Sequence, residues 1–246
     1  MSKKKSSIRH RGIYLLPNLF TTGAMFAGFY AITSAINGRF ETAAISIFVA
    51  MILDGLDGRV ARMTNTQSQF GVEYDSLSDM VSFGVAPALV MYLWAFESLG
   101  RIGLFAAFVH TAGGALRLAR FNTQVEVADK RYFQGLPSPA AAGLLAGGLW
   151  MSLEFGYDGA SVNYLALVLT ISTGLLMVSN FRYSSFKGID LRGKVPFMVA
   201  IIIMLGIAFI MVQPQSILFI LALVYAISGP VITLLTLKKK RKDRKA

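Results

Sequence analysis

"LDGLDGRVARMTNTQSQFGVEYDSLSDM" (residues 53–80) separates two long apolar stretches and holds Asp54, Asp57, Asp75 and Asp79, four of the thirteen acidic residues in the chain. Working outward from it, runs of about 20 apolar residues recur, the length a helix needs to cross a hydrocarbon core at 1.5 Å per residue. Eight such runs are read, at 17–37, 43–63, 78–96, 102–121, 138–155, 161–181, 195–212 and 216–237. They show no period-2 alternation, and long apolar runs that satisfy their own backbone in lipid are helices. The expected fold is therefore an all-α, polytopic transmembrane bundle. Composition agrees, at 54% apolar and 15% charged residues.

In such a setting the four carboxylates are costly, at roughly 2.5–3.5 kcal/mol each near a helix centre. Their spacing suggests what offsets them. Asp54 and Asp57 are three apart at the end of the second run, and Asp75 and Asp79 are four apart at the start of the third, so each pair shares a helix face. A short turn between the runs brings the pairs together, where unneutralised carboxylates would repel and take up protons. Divalent cations remove that problem, and an all-oxygen donor set suits Mg²⁺, Mn²⁺ or Ca²⁺. Two carboxylate pairs suit two ions, the clamp used for displacement at phosphorus. Gly55, Gly58, Ala61 and Gly71 leave room for a substrate, and Arg62 offers a planar fork to phosphate oxygens. Two other readings stand beside this one. The aspartates could be helix-end charges, or they could line an ion or proton pathway through a transporter.

The net charge of +11 is distributed unevenly. With both termini cytoplasmic, 22 of the 24 Lys and Arg fall on the inner side and only Arg39 and Arg101 on the outer. That asymmetry is what the positive-inside rule expects. It makes the terminal "KKKRKDRK" a topology signal, with an anionic-lipid patch as the second reading and nucleic acid excluded as a partner. Cysteine is absent, which removes disulfides and thiolate metal sites. Along the chain we divide a basic N-terminus (1–16), a six-helix core (17–181), two additional helices with their loop (182–237) and a basic tail (238–246). Within "AAAGLLAGG" (140–148), Gly143 and Gly147 form a small-residue face. It serves packing inside the monomer or the seam of a homodimer.

The run Asp54-x2-Asp57-Gly58-x2-Ala61-Arg62-x8-Gly71-x3-Asp75-x3-Asp79 resembles the motif of the CDP-alcohol phosphotransferases, with every member present. The resemblance implies that Asp54, Asp57, Asp75 and Asp79 are ligands of a divalent metal, Mg²⁺ or Mn²⁺, and that Asp79 is also the general base. It implies contacts from Gly58, Ala61, Arg62, Ser68 and Gly71 to a CDP-diacylglycerol donor. "LPNLFTTG" (16–23) is similar to the family's first-helix entry, which makes Asn18 and Thr21 further candidates, with helix capping as the alternative. "SFGVAPA" (82–88), "RLARFN" (117–122) and "FQGLPSPAAAG" (133–143) resemble the serine-accepting subgroup, the CDP-diacylglycerol–serine O-phosphatidyltransferases. L-serine is accordingly the expected acceptor, with glycerol 3-phosphate, inositol or inositol phosphate as alternatives. Arg117, Arg120 and Asn122 are candidate acceptor or phosphate contacts, or positive-inside anchors. His110 is read as a packing contact, and Pro137 and Pro139 as the opening of a helix. The expected location is a bacterial cytoplasmic membrane with the site facing the cytoplasm.

Overall fold

The computed structural model describes residues 3–64, 66–124, 132–184 and 197–243. Lys130, Arg131, Lys187, Arg192, Lys194, Arg244 and Lys245, counted above on the inner side, lie outside the described residues. The helices are α1 (Lys3–Ile36), α2 (Phe40–Thr64), α3 (Gln69–Asp79), α4 (Ala86–Met91), α5 (Arg101–Gln124), α6 (Ser138–Glu154), α7 (Asn163–Val178), α8 (Phe197–Val212) and α9 (Pro214–Asp243). π-helical turns at Met80–Val85 and Tyr92–Phe96 and a final 3₁₀ turn, Glu97–Leu99, join α3 and α4 into one rod. Among the described residues the helices form eight rods, one overlapping each apolar run. Leu16–Ile36, Gln69–Leu99, Arg101–Thr123 and Pro214–Thr236 are long and apolar enough to cross a membrane.

The structure departs from the all-helical expectation in one short element. β1 (Tyr132–Gln134) pairs antiparallel with β2 (Arg182–Ser184), Phe133 opposite Tyr183. A three-residue ribbon carries too little alternation to be read from sequence.

The third rod also starts earlier than the apolar run suggests. Ser68 caps α3, its Oγ accepting from Gly71 N–H at 3.0 Å. A polar segment without an apolar run can still be helical when its cap is supplied. Asp75 and Asp79 thus sit well inside a helix rather than in its first turn, which removes the helix-end-charge reading for this pair.

The π turn after Asp79 has a local cause. Pro87 lacks an N–H, and in a regular α-helix its ring would clash with the carbonyl four residues back, that of Phe83. Widening the turn relieves the clash, with Ala86 N–H reaching Val81 O. The Phe83 carbonyl is taken up by His110 Nε2 at 3.1 Å, and Gly84 O accepts from Thr111 Oγ1 at 3.3 Å. His110 Nδ1 meets Thr173 Oγ1 at 2.8 Å, so both ring nitrogens of this fully buried residue are engaged. The packing reading of His110 holds. Neighbouring side chains satisfying a carbonyl freed by proline is how membrane helices tolerate the residue.

Around this rod α1 packs along α2, α5 against α7, and α6 against both α2 and α9. The core is built largely of alanines from α1, α2 and α6 with Ile47, Phe83, Phe96, Leu145 and Leu149. Small residues set the helix separations. A Cβ on Gly174 would stand 2.6 Å from Val109 O, so α5 and α7 touch backbone to backbone. Gly143 faces Met51 of α2 and Gly147 faces the Phe219 backbone of α9, so the small-residue face is used within the monomer. Pro137 and Pro139 open α6 as expected. On the outside α8 presents Met198, Ile202, Met204, Leu205, Phe209 and Met211 largely exposed, and among the described residues it packs chiefly against α9. An apolar face of this size is suited to lipid rather than water.

Candidate active site

The C-terminal half of α2 and the N-terminal half of the third rod bring the carboxylates together, with α1 behind them. Oxygen atoms of Asp54, Asp57 and Asp75 all lie within 4.8 Å of one another. Asp79 stands outside this trio but beside it, its carboxyl in hydrogen-bonding reach of Asp54. Asp79 Oδ1 is buried and has no hydrogen-bond partner among the described residues.

Helix α1 fixes the cluster from one side. Thr21 Oγ1 donates to Asp57 Oδ2 at 2.7 Å and also approaches Pro17 O at 3.1 Å. Ser78 Oγ donates to Thr21 O at 3.0 Å, and Ser82 Oγ to Ala24 O at 3.0 Å, so the third rod is stitched to the same turn of α1. Thr21 therefore touches the metal-ligand candidates, not an open groove. Asp57 is 5% exposed, and this hydroxyl is one of the hydrogen-bond partners it has in place of water.

Asn18, Ser68 and Gly71 meet. A Cβ added at Gly71 would lie 3.2 Å from Ser68 Oγ and 3.7 Å from Asn18 Oδ1. Gly58 faces Arg62, whose Nη1 would be 3.5 Å from such a Cβ, and Gly55 borders open space. Ala61 is half-buried and Arg62 exposed on the same helix end. Arg62 contributes to the field on Asp57.

Two of the three α5 candidates face other work. Arg117 lies near enough to the cluster for Asp79 and Asp54 to act on it electrostatically. Its Nη1 donates to Ser138 Oγ at 2.7 Å. Arg120 is turned to the end of α7, where it binds the Val178 carbonyl, Ser179 O at 3.3 Å and Asn180 Oδ1 at 3.4 Å. The first two are carbonyls at the C-terminal end of a helix, a common use of arginine. Asn122 exchanges hydrogen bonds with Ser76 at 3.1 and 3.3 Å, tying α5 to α3 next to Asp75. Two residues that sequence reading did not single out also matter here: Ser138 and Ser78. Ser138 falls within "FQGLPSPAAAG", but nothing in that pattern shows its partner is Arg117.

The donor set fits a divalent metal. Three carboxylates converge in a half-buried space, a fourth offers a buried oxygen with no partner, and all donors are oxygen. Asp54, Asp57 and Asp75 would hold such an ion, with Asp79 at its edge.

The chain matches the family model for CDP-alcohol phosphatidyltransferase over residues 14–178. A Helicobacter pylori protein named CDP-diacylglycerol–serine O-phosphatidyltransferase is 38% identical over 217 residues, covering 88% of this chain and 90% of its own length. A Bacillus subtilis protein of the same name is 35% identical over 172 residues, 70% of this chain and 91% of its own. A Methanocaldococcus jannaschii namesake reaches 44% over 140 residues, 57% of this chain and 62% of its own. On the extent of the family match and of these similarities, the chain belongs to the CDP-alcohol phosphatidyltransferase family.

Proposed function

We propose that this protein transfers the phosphatidyl group of CDP-diacylglycerol to the hydroxyl of L-serine and releases CMP, at a metal-assisted site on the inner face of a bacterial cell membrane. The observation that carries the reading is the meeting of Asp54, Asp57 and Asp75 within 4.8 Å, with Asp79 alongside. The names of the relatives support serine as the acceptor. The placement of 22 of 24 basic residues supports eight crossings with both termini inside.

In this reading Asp79 Oδ1, buried and unpartnered, accepts the serine hydroxyl proton. The new oxygen–phosphorus bond forms as the bond to CMP breaks, and general-base help of this kind is worth about 10²–10⁴-fold. Bound divalent metal supplies charge stabilisation for the phosphoryl and leaving oxygens. Arg117, held by Ser138, is the cation on the acceptor side. Arg62 and Gly58 form the nucleotide side, where the missing side chain lets a diphosphate approach α2. Thr21 keeps Asp57 oriented.

The test is CMP release by the purified protein in detergent with CDP-diacylglycerol and Mg²⁺ or Mn²⁺, with serine, glycerol 3-phosphate and inositol offered separately. Release with serine alone, lowered by about 10²–10⁴-fold in Asp79→Asn, is expected. Release with another acceptor would refute serine while keeping the phosphotransfer, and no release with any would refute the reading.

A further inference from the structure

We propose that the cleft where the α1–α2 turn meets the end of α6 holds the headgroup of a phospholipid bearing a primary ammonium, in the leaflet opposite the four aspartates. The inference needs only that α2 crosses the membrane, and it is independent of the reaction. Glu41 lies in the first turn of α2, so about 20 Å of helix separates the cleft from Asp54. The cleft has a volume of about 430 Å³ and is lined by Arg39, Phe40, Glu41, Trp150, Leu153 and Glu154. Clefts that hold small ligands run from about 300 to 1,000 Å³.

The lining carries both signs of charge. Arg39 stands on the α1 side, its guanidinium 6.0 Å from the centroid of the Tyr30 ring. Trp150 of α6 donates its indole N–H to Glu41 Oε1 at 3.3 Å, and its ring leans on Phe48 with centroids 6.1 Å apart. The indole thus holds the Glu41 carboxylate beside α6, whose last residue is Glu154. A carboxylate accepts about four hydrogen bonds, so Glu41 keeps room for an N–H donor after meeting Trp150. A phosphate suits the arginine fork and an ammonium suits the two carboxylates, so the lining complements a zwitterion. Carboxylates favour an ammonium with hydrogens to give, whereas a quaternary one is held by the faces of several aromatic rings. The ligand is a lipid because of what lies below. Ile45, Val49 and Ile52 share the Glu41 face of α2 and are 39%, 42% and 64% exposed. This apolar strip descends about 16 Å from the cleft, half the thickness of a hydrocarbon core, and offers an acyl chain a path beneath the headgroup.

The chain has two tryptophans, so Trp94→Phe leaves Trp150 as the single indole reporter. The full-length Trp94→Phe protein is reconstituted in phosphatidylcholine vesicles that contain phosphatidylethanolamine, phosphatidylcholine or phosphatidylglycerol brominated near the headgroup, and Trp150 quenching is measured. Phosphatidylethanolamine should quench at a mole fraction about twofold to tenfold lower than phosphatidylcholine, the range for one net hydrogen bond. Glu154→Gln should reduce that preference, and Glu41→Gln with Glu154→Gln should abolish it, since a glutamine at 41 still accepts from Trp150. Trp150→Phe, with Trp94 as the reporter, should show no preference. Equal quenching by the ethanolamine and choline lipids in a folded protein would overturn the proposal and leave ordinary boundary lipid. Stronger quenching by phosphatidylglycerol would overturn the ammonium assignment, and a preference that survived both glutamate changes would overturn the site. CMP release plays no part in the test, so its failure and that of the functional reading are separate results.

Discussion

Thr21→Val removes a single hydroxyl and keeps the side-chain shape, so it isolates the 2.7 Å bond to Asp57. The bond has a charged acceptor in a site that is 5% exposed at Asp57 and 4% at Thr21. Hydrogen bonds to charged groups contribute about 1.5–3 kcal/mol. At about 1.4 kcal/mol per factor of ten, that is roughly 10- to 150-fold in the affinity of whatever Asp57 binds. Losing an outer partner of a metal ligand costs about 10–100-fold by a separate route of estimation, so the two ranges agree. The assay is Mn²⁺ binding to the purified protein by electron paramagnetic resonance, alongside the metal concentration for half-maximal CMP release. Both should move together by at least tenfold, and Thr21→Ser should stay near wild type. Mn²⁺ affinity within threefold of wild type in a folded Thr21→Val protein would refute the argument that α1 orients this ligand.

Two further outcomes follow from packing and burial. Gly174→Ala would push a Cβ to 2.6 Å from Val109 O, and should destabilise by about 1–3 kcal/mol in detergent melts, whereas Gly206→Ala on α8, with nothing within 4 Å, should be neutral or slightly stabilising. Equal melting temperatures for the two variants would contradict the backbone contact between α5 and α7. Burial pushes the Tyr183 phenol up to about 12 from its ordinary 10, so between these values the unfolded chain loses its proton first. Stability from this group is therefore complete below pH 10 and falls as pH rises toward 12, at most about 1.4 kcal/mol per unit. Thermal melts from pH 9 to 11.5 should show this slope in wild type and a shallower one in Tyr183→Phe; parallel slopes would count against the burial argument.

The four aspartates could be read from sequence because their spacings, three and four residues, are the helix period itself. The same regularity makes the eight rods legible, since apolar runs of membrane length leave the backbone little alternative. What escaped reading depends on contacts between distant segments. Arg117 and Arg120 look equivalent one turn apart, yet one meets Ser138 and the other closes the end of α7. Tyr225 lies in an apolar run with no pattern around it, yet its ring packs on Tyr183 with centroids 5.5 Å apart and its hydroxyl donates to Ser184 O at 3.2 Å. The early start of α3 had a signal in Ser68, whose capping role the polar segment 63–77 masked. Pro87, four residues after Phe83, was the visible mark of the irregular turn.

That turn sets an angular phase. A π-helical turn holds one residue more than a plain helix would, and each residue of an α-helix advances the face by about 100°. The segment Met80–Val85 therefore lets α4 choose its packing face against α1 and α6 without dictating where Asp75 and Asp79 point. Because the widened turn absorbs its extra residue, a one-residue deletion that restored a regular helix there would leave the phase of Asp75 and Asp79 against α4 nearly unchanged, and would instead press the proline ring against the carbonyl four residues before it. The residue count of "MVSFGV" is thus tied to Pro87 rather than to the aspartates, and a chain without that proline could lose one residue of the segment and keep the geometry of the site.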